Sequence, residues 1–251
     1  MHLHTCLSPC ADWEMSPSKI IRQCKKKGLD IIAVCDHNSA ENALAVMEAG
    51  KENGIWVLPG MEICSKEEVH ILSVFEKIGH AFEMQAFVYE HLEGCNQPEI
   101  WGHQVVADKN DEVMAENSRL LIGAADLTLN EIVDKTHSLN GLSIASHIDR
   151  PSYSIMSQVG FIPPDLDLDG VEVSFPHSPE EIHEHISHLK NMTCITSSDA
   201  HFPGDIGKTK TLFSLAEASL NEIRLALHKK KGRRVKVFPH ASLRPEVLER
   251  N

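Results

Sequence analysis

Short apolar runs that are typical of buried strands alternate along this chain with segments that carry helix start and stop signals. The strand-like runs cover residues 29–34, 55–58, 69–75, 142–145, 171–175 and 192–195. Strands that alternate with helices favour parallel βα units, in which helices cover the faces of a sheet. With 251 residues, the chain is long enough to form a single α/β barrel domain over residues 1–251.

Helix boundaries are marked at several places between the predicted strands. Ser16 followed by Pro17 predicts the start of a helix, because proline is favoured at the first helical position, and Gly28 predicts its end. A serine or threonine followed three positions later by glutamate, the capping-box pattern, occurs at residues 128–131, 178–181 and 219–222. These signals support the α/β interpretation.

The segment 76–126 does not follow this rhythm. Residues 82–92 predict a helix, whereas residues 97–113 are polar and rich in turn-forming residues, with a hairpin expected around 107–112. We interpret 76–126 as an insertion within the barrel rather than as a separate domain.

The net charge of −12 restricts the classes of partner. A surface for long nucleic acid needs clustered lysine and arginine, so the charge argues against it, although a short nucleotide held by metal ions in a pocket is compatible with it. Seven cysteines without a Cys-x-x-Cys pair argue against a disulfide framework. No apolar run approaches a membrane span and no secretory signal is recognisable, so we expect a cytoplasmic protein without a membrane partner.

Acidic residues and histidines fall at or near the ends of the strand-like runs. They are His2, His4, Asp36, His37, Glu62, His70, His147, Asp199 and His201. Side chains at strand ends of one barrel converge in space, and α/β enzymes place functional groups at the carboxyl ends of their strands. A convergent set of imidazoles and carboxylates predicts a site for several metal ions, and therefore hydrolytic chemistry.

Three of these positions have specific alternatives or supporting roles. His70 lies within the apolar sequence 69–72, where an unpaired imidazole is costly, so a metal ligand is favoured over a core histidine. Glu62 could bridge two cations through its two oxygens, and the alternative is an ordinary loop carboxylate. Asp36 could orient a ligand histidine from behind.

Six motifs, in this order, resemble those of the PHP (polymerase and histidinol phosphatase) superfamily. They are Met1-His2-Leu3-His4-Thr5, Cys35-Asp36-His37-Asn38, Pro59-Gly60-Met61-Glu62, Glu68-Val69-His70-Ile71-Leu72, Ser146-His147-Ile148-Asp149 and Ser198-Asp199-Ala200-His201. The resemblance covers nearly the whole chain. It implies a distorted seven-stranded TIM-like barrel, (β/α)7, with two or three divalent metal ions at its mouth and a metal-dependent phosphoesterase activity.

The resemblance also implies a ligand set for each metal ion. One ion would be held by His2, His4, Glu62 and Asp199, and Glu62 would bridge to a second ion held also by His70 and His147. A third would be held by His37, His201 and an acid in the loop after His4, for which Asp12 is the best match. We expect catalytic roles for Glu62, Asp199 and His201.

The types of ligand limit the metal and the reaction. Six histidines and three carboxylates without a thiolate suit manganese, iron or zinc rather than magnesium or calcium. Such ions polarise a phosphoryl oxygen and supply a metal-activated hydroxide at neutral pH. The expected reaction is hydrolysis of a phosphate ester in a small phosphorylated metabolite or nucleotide, with a nucleoside 3′,5′-bisphosphate or an oligonucleotide 5′ end as the favoured substrate.

A phosphorylated substrate also needs cations that hold its other phosphate groups. Arg150 follows His147 on the same loop and could bind a phosphate through two hydrogen bonds. Lys208 and Arg119 are further candidates. For each, the alternative is a surface charge pair that contributes little.

Three other functions stay open at this point. They are a histidinol-phosphate phosphatase, an amidohydrolase barrel, which also begins with His-x-His, and a non-catalytic metal-binding accessory or regulatory module. The superfamily's His-x-His normally follows a full first strand, which has no counterpart before Met1. We therefore expect a truncated first strand, with the native start upstream.

Overall fold

The computed structural model describes residues 1–174 and 192–238. Its strands are β1 (Ile31–Val34), β2 (Trp56–Cys64), β3 (His70–Val74), β4 (Val105–Ala107), β5 (Val113–Glu116), β6 (Leu142–Ala145), β7 (Gly170–Val173), β8 (Cys194–Thr196), β9 (Lys210–Ser214) and β10 (Arg234–Phe238). Its helices are α1 (Pro17–Lys26), α2 (Ala43–Asn53), α3 (Ile78–Tyr89), α4 (Pro98–Trp101), α5 (Leu129–Ser138), α6 (Ile155–Gln158) and α7 (Leu220–Leu227), with a 3₁₀ helix at Pro203–Asp205.

Six strands form the central sheet, in the order β1-β2-β3-β6-β7-β8. The pairs β1–β2, β6–β7 and β7–β8 are parallel, as the alternating pattern predicts. The strand β3 runs antiparallel to both of its neighbours. Only residues 65–69 connect β2 to β3, and this connection is too short for the crossover that a parallel pair requires.

The N-terminal residues close the gap between the two edges of this curled sheet. Leu3 forms parallel bridges with Val34 at the end of β1 and with Ala200 just after β8. The amide of Cys35 donates to the carbonyl of Leu3 at 2.9 Å, and the amide of His4 donates to the carbonyl of Ala200 at 3.0 Å. The α/β class and the distorted TIM-like barrel are therefore confirmed, with a first strand reduced to a single bridged residue among those described.

The helix boundaries follow the signals in the sequence. Pro17 is the first residue of α1, and α5 has a complete capping box in which Thr128 accepts from the amide of Glu131 and the glutamate returns the bond. Ser219 accepts from the amide of Glu222 at the start of α7. The capping-box pattern predicted at 178–181 lies outside the described residues, as does the last residue of the run 171–175.

The two faces of the sheet have different partners. Outward-facing side chains pack against the surrounding helices, whereas the inner face has a small core that includes Leu58, Leu72, Ile144 and Ile195. Residues of α7 complete this inner core and cover one end of the barrel. Polar residues line the other end of the inner face, where the carboxyl ends of the parallel strands meet.

The segment 76–126 contains α3, α4 and the predicted hairpin, in which β4 pairs with β5. It lies against the carboxyl end of β1, because Asn38 donates to the carbonyls of Leu121 at 2.8 Å and Gly123 at 2.7 Å. Asn42 holds the hairpin, since it donates to the carbonyl of Val105 and accepts from the amide of Ala107. Within the described residues, no helix has the length and apolarity needed to cross a membrane.

Candidate metal centre

The barrel topology brings the predicted site residues to one end of the inner face. His2 and His4 flank the bridged residue Leu3, His37 follows β1, His147 follows β6, and Asp199 and His201 follow β8. His70 is the first residue of β3, and because that strand is antiparallel, its start lies beside the carboxyl ends of its parallel neighbours. All of these side chains except that of His201 are buried.

Glu62 lies within β2, which continues through it to Cys64, so it is not the ordinary loop carboxylate that was the alternative interpretation. Gly60 makes this continuation possible. A Cβ at this position would lie 2.7 Å from the carbonyl oxygen of Ser73 on the neighbouring strand. The carboxylate of Glu62 is therefore fixed by the sheet rather than by a mobile loop.

The carboxylate of Glu62 is surrounded by five imidazole rings. Its Oε1 lies 3.2 Å from His70 Nδ1, 3.2 Å from His147 Nε2 and 3.5 Å from His2 Nε2, and its Oε2 lies 3.2 Å from His37 Nδ1 and 3.4 Å from His4 Nε2. Each carboxylate oxygen thus has its own set of nitrogen neighbours. Both oxygens therefore lie within reach of several possible ligand nitrogens, as a carboxylate that bridges two cations requires.

Asp199 forms the second anionic point of the site. Its Oδ1 lies 3.0 Å from His4 Nε2 and 3.2 Å from His2 Nε2, and these two ring nitrogens lie 3.1 Å from each other. Asp199 and His147 both have positive φ angles, 41° and 26°, which non-glycine residues rarely adopt. Strained backbone of this kind tends to cluster at functional sites.

Three groups of described side chains have ligand atoms close enough to hold a cation. They are His2, His4, Glu62 and Asp199, then His37, Glu62 and His70, and then His4, His37 and His201. The first group is the ligand set implied by the sequence resemblance. The second contains His37 together with the expected Glu62 and His70, while His147 faces the same oxygen of Glu62. The third contains His4 and not Asp12.

Asp12 is near the centre through its main chain only. Its amide donates to the carbonyl of His201 at 2.8 Å, but its carboxylate accepts from the amide of Glu14 at 2.7 Å. The side chain of Asp12 therefore caps its own turn in this structure. Its role as a ligand stays a prediction.

The charges of the site divide its histidines into two classes. Burial would lower the pKa of His4, but Asp199 and Glu62 raise it to about 9. Burial and the neighbouring His4 lower the pKa of His201 to about 4, and the same causes lower that of His37. Burial would raise the pKa of Glu62, but His70 and His2 hold it well below its usual range. Burial would likewise raise the pKa of Asp199, but His2 and His4 hold it well below its usual range, so both carboxylates are ionised and available as ligands.

These donors fit divalent cations. Glu62 Oε1 and His70 Nδ1 are buried without a hydrogen-bond partner among the described residues, although they lie 3.2 Å apart. Leaving buried polar atoms unsatisfied costs free energy, and a cation between them would satisfy both. Imidazole and carboxylate donors without a thiolate match manganese, iron or zinc.

Glu172 supports the centre and was not identified from the sequence. It lies in β7 with its side chain fully buried, and its Oε1 lies 3.0 Å from His2 Nδ1. The valines on either side, Val171 and Val173, belong to the outer core. A glutamate between two outward-facing valines must face inward, and this alternation is the signal that could have found it.

His4 is oriented by a chain of two hydrogen bonds. Ser8 Oγ donates to Asp36 Oδ1 at 2.7 Å and lies 2.9 Å from His4 Nδ1. Because the hydroxyl has one proton, which it gives to the carboxylate, the nitrogen must donate to the hydroxyl. The Nε2 of a neutral His4 then has a lone pair that faces Asp199. Asp36 thus reaches His4 through the hydroxyl of Ser8.

The three candidate phosphate-binding residues lie in different places. Arg150 reaches the centre, where its Nη1 lies 2.6 Å from Asp199 Oδ2 while a third of its side chain stays exposed. Lys208 is exposed and pairs with Asp205. Arg119 lies over the ring of Tyr89, with 4.2 Å from the guanidinium carbon to the ring centroid. Of these candidate residues, Arg150 alone contacts a side chain that belongs to one of the cation-binding groups.

Family models match two parts of the chain. The model described as the PHP domain matches residues 1–153, which include seven of the nine predicted ligands, and the model described as PHP-associated matches residues 184–231. An uncharacterized protein of Methanocaldococcus jannaschii is 27% identical over 181 residues, which cover 69% of this chain and 78% of the relative. A 5′-3′ exoribonuclease of Haemophilus influenzae is 30% identical over 76 residues, covering 29% of this chain and 28% of the relative.

Solved structures show the same fold at low sequence identity. Endonuclease Q from Pyrococcus furiosus is similar to 94% of this chain with a TM-score of 0.70 and 19% identity, and the chain spans 56% of the endonuclease's length. An endonuclease Q has also been crystallised with a DNA duplex that carries an abasic lesion. A two-domain protein from Bacteroides vulgatus with a predicted PHP-like metal-dependent phosphoesterase is similar to 95% of this chain, which covers 63% of that protein, with a TM-score of 0.55 and 20% identity.

Proposed function

This chain belongs to the PHP domain family, and from that premise we propose that it is a metal-dependent phosphoesterase that hydrolyses a small phosphorylated metabolite or nucleotide. The observation that carries the proposal is the environment of Glu62, whose two carboxylate oxygens face separate sets of imidazole nitrogens at 3.2–3.5 Å in a buried cluster. When bound there, two or three divalent cations would polarise a phosphoryl oxygen and lower the pKa of a water molecule.

The chain's own residues have separable roles in this proposal. His2, His4, Glu62 and Asp199 would hold one cation, and Glu62 would share a second with His70, His147 and His37. His201 would complete a third set with His37, together with His4 or Asp12. Glu62 and Asp199, both ionised, supply the negative charge that holds the cations, and His201 is the ligand nearest to solvent.

Arg150 is the group that we assign to the phosphate. Its guanidinium contacts Asp199 through one nitrogen, and a third of its side chain is exposed. A guanidinium can bind two oxygens of a phosphate at once, which orients the ester relative to the ligands. Lys208 and Arg119 would contribute less, because each is engaged elsewhere.

The favoured substrate is a nucleoside 3′,5′-bisphosphate or the 5′ end of an oligonucleotide. Support comes from the similarity of the chain to a 5′-3′ exoribonuclease and of its fold to endonuclease Q, although neither relative is matched over two thirds of its length. We place the reaction in the cytoplasm, since all seven cysteines are free, as expected in a reducing compartment.

A panel of substrates tests the proposal. Protein loaded with manganese, zinc or iron is assayed with p-nitrophenyl phosphate, bis(p-nitrophenyl) phosphate, a nucleoside 3′,5′-bisphosphate and histidinol phosphate. We expect turnover of the bisphosphate above that of histidinol phosphate. The reverse preference would favour a histidinol-phosphate phosphatase, and metal binding without turnover of any ester would overturn the proposal in favour of an accessory metal-binding module.

A further inference from the structure

The first helix has a basic face that the metal centre does not use. Its buried face contains Ile20, Ile21 and Cys24, whereas Lys19, Arg22 and Lys26 recur on the opposite side at helical spacing and are exposed. Lys19 lies 3.7 Å from Glu14, and Arg22 and Lys26 have no ion-pair partner among the described residues. In a chain with a net charge of −12, three cations in two turns of one helix form a concentrated positive surface.

These basic side chains line a groove beside the metal centre. The groove is bounded by Glu14, Lys19, Arg22, Gln23, Lys26 and Pro203. Pro203 follows His201 by two positions, so their Cα atoms are at most about 7 Å apart. The groove therefore has one lining residue close to the proposed ligand His201, and three cations outweigh the single carboxylate in its lining.

Two exposed aromatic residues are adjacent in the chain to residues that line the groove, and the ring of one of them, Trp13, lies 5.1 Å from that of His103. Trp13, 58% exposed, precedes the lining residue Glu14, and Phe202, 52% exposed, precedes Pro203 and follows His201. Exposed aromatic rings beside a basic track are the features with which proteins bind single-stranded nucleic acid, because bases stack on the rings while cations follow the phosphates.

We propose that this groove, which we call the α1 groove, binds the phosphate backbone of a single-stranded oligonucleotide whose terminal ester lies at the metal centre. The inference rests on the proposed function, since it gives the phosphoesterase an extended substrate. Lys19 and Lys26 are separated by about 10 Å along the helix axis. That length is sufficient for consecutive phosphates of one short strand to contact the three cations in turn.

The small extent of the α1 groove makes the proposal compatible with the net negative charge of the protein. A long nucleic acid would meet the acidic remainder of the surface, whereas a short strand confined to the groove would not. The proposal therefore commits to a short single strand and not to a long duplex.

Binding of a labelled probe tests the α1 groove separately from catalysis. The probe is a 5′-phosphorylated ten-nucleotide single strand with phosphorothioate linkages, which resist cleavage, and its Kd for the metal-loaded protein is measured by fluorescence anisotropy at several salt concentrations. For K19Q/R22Q/K26Q we expect a Kd about tenfold higher near 0.1 M salt. The slope of log K against log salt should become shallower by about 2, since each lost contact with a single strand removes about 0.7.

A matched control removes the same charge elsewhere. Lys229, Lys230 and Lys231 are exposed and follow α7, whose Arg224 donates to the carbonyl of Gly141 before β6, at the opposite end of the barrel. K229Q/K230Q/K231Q should change Kd less than twofold. W13A/F202A should raise Kd about fivefold or more without changing the salt slope, because stacking is not ionic. All variants should retain the parent's turnover of p-nitrophenyl phosphate.

The outcomes separate this inference from the proposed function. Equal Kd values for parent and groove variant, or equal losses in the groove and control variants, would overturn the inference while leaving turnover of small esters intact. Phosphatidylserine vesicles test whether the groove instead binds an anionic lipid surface. If K19Q/R22Q/K26Q lost binding to these vesicles while its Kd for the oligonucleotide stayed unchanged, the inference would also be overturned. Groove-dependent binding of the probe by a protein that hydrolyses no ester would support the groove and contradict the phosphoesterase.

Discussion

Glu172 Oε1 lies 3.0 Å from His2 Nδ1, in a contact that is fully buried on both sides. The carboxylate holds a proton on Nδ1, so the lone pair of a neutral His2 is on Nε2, which faces Glu62 and Asp199. Partners of this kind fix both the tautomer and the orientation of a ligand histidine. The contact makes Glu172 a determinant of metal affinity although it reaches no proposed cation itself.

Substitution of Glu172 separates its charge from its hydrogen bond. We expect Glu172→Leu to lower metal affinity by about 10- to 100-fold, the usual cost of losing a partner of a ligand histidine. Glu172→Gln should lose less, because its amide oxygen still accepts from Nδ1. Metal content and titration calorimetry measure the effect, and circular dichroism checks the fold. Equal affinity in the parent and a folded Glu172→Leu would contradict this role.

Ser8 should matter for the same reason on the neighbouring ligand. Ser8→Ala removes the hydroxyl that joins Asp36 to His4, so His4 loses its fixed tautomer, and we expect about tenfold weaker metal binding. The control is Ser73→Ala, another buried serine, which hydrogen-bonds to Thr136 away from the centre. Both variants lose a buried hydroxyl. If they lose equal amounts of metal affinity, the effect is one of packing and not of orientation.

Glu62→Ala tests the bridging assignment. Loss of the carboxylate leaves five imidazoles without the anion that they share, so bound metal should be lost and turnover should fall by on the order of 10³-fold, equivalent to about 4 kcal/mol. Metal content and turnover of p-nitrophenyl phosphate measure the effect, and circular dichroism checks that the variant is folded. A folded Glu62→Ala variant with full activity would show that the site is elsewhere.

Arg150 can be compared with Lys208 as a phosphate-binding group. Arg150→Ala should raise KM for a phosphate ester by about 10- to 100-fold, since hydrogen bonds to charged groups contribute about 1.5–3 kcal/mol. Arg150→Lys should restore little, because an ammonium lacks the planar fork of the guanidinium. Lys208→Ala, an exposed pair with Asp205, should change KM less than twofold. The opposite ranking would transfer the phosphate contact to Lys208.

The sequence predicted the fold, and it also identified the acids and histidines that lie together at one end of the barrel, because both depend on local patterns. Strand-like runs end in acids and histidines, and the barrel brings those ends together. The direction of β3 was not predictable in the same way, because Pro59 and Gly60 are turn signals that hide the continuation of β2 to Cys64. The alternation of strands and helices favoured parallel pairs throughout, whereas the five residues between Cys64 and His70 allow only an antiparallel pair.

The supporting residues were harder to predict than the ligands. Glu172 contacts His2, which is 170 positions away in the chain. Ser8 contacts His4, four positions away, through a turn that the motif does not specify. Asp12 shows the reverse, since a motif match placed it at the centre while its carboxylate caps a local turn. A side chain's partner depends on rotamers and turns that a motif does not specify.

A second cluster, at the opposite end of the barrel, predicts how stability depends on pH. Asp169 accepts from His137 Nε2 at 3.0 Å, from His228 Nε2 at 3.1 Å and from the amide of Ser143 at 2.9 Å, and so connects α5 to α7. The hydrogen bond to Asp169 raises the pKa of His137. Burial would raise the pKa of Asp169, but His137 and the Ser143 amide hold it below its usual value.

The direction of each shift gives the pH range in which this cluster stabilises the fold. A raised histidine pKa contributes stability that is complete below the unfolded value of about 6.5 and is lost as the pH rises through the folded value. A lowered carboxyl pKa contributes stability that is present above about 3.9 and is lost as the pH falls through the folded value. The His137–Asp169 pair therefore contributes most between about pH 4 and 6.5.

We expect His137→Gln to lower the free energy of unfolding by about 1 kcal/mol at pH 5.5 and by less at pH 8.5. His103→Gln, which removes an exposed histidine paired with Glu116, should change neither value measurably. Urea unfolding at both pH values measures the difference, and parallel pH curves for the parent and His137→Gln would contradict it.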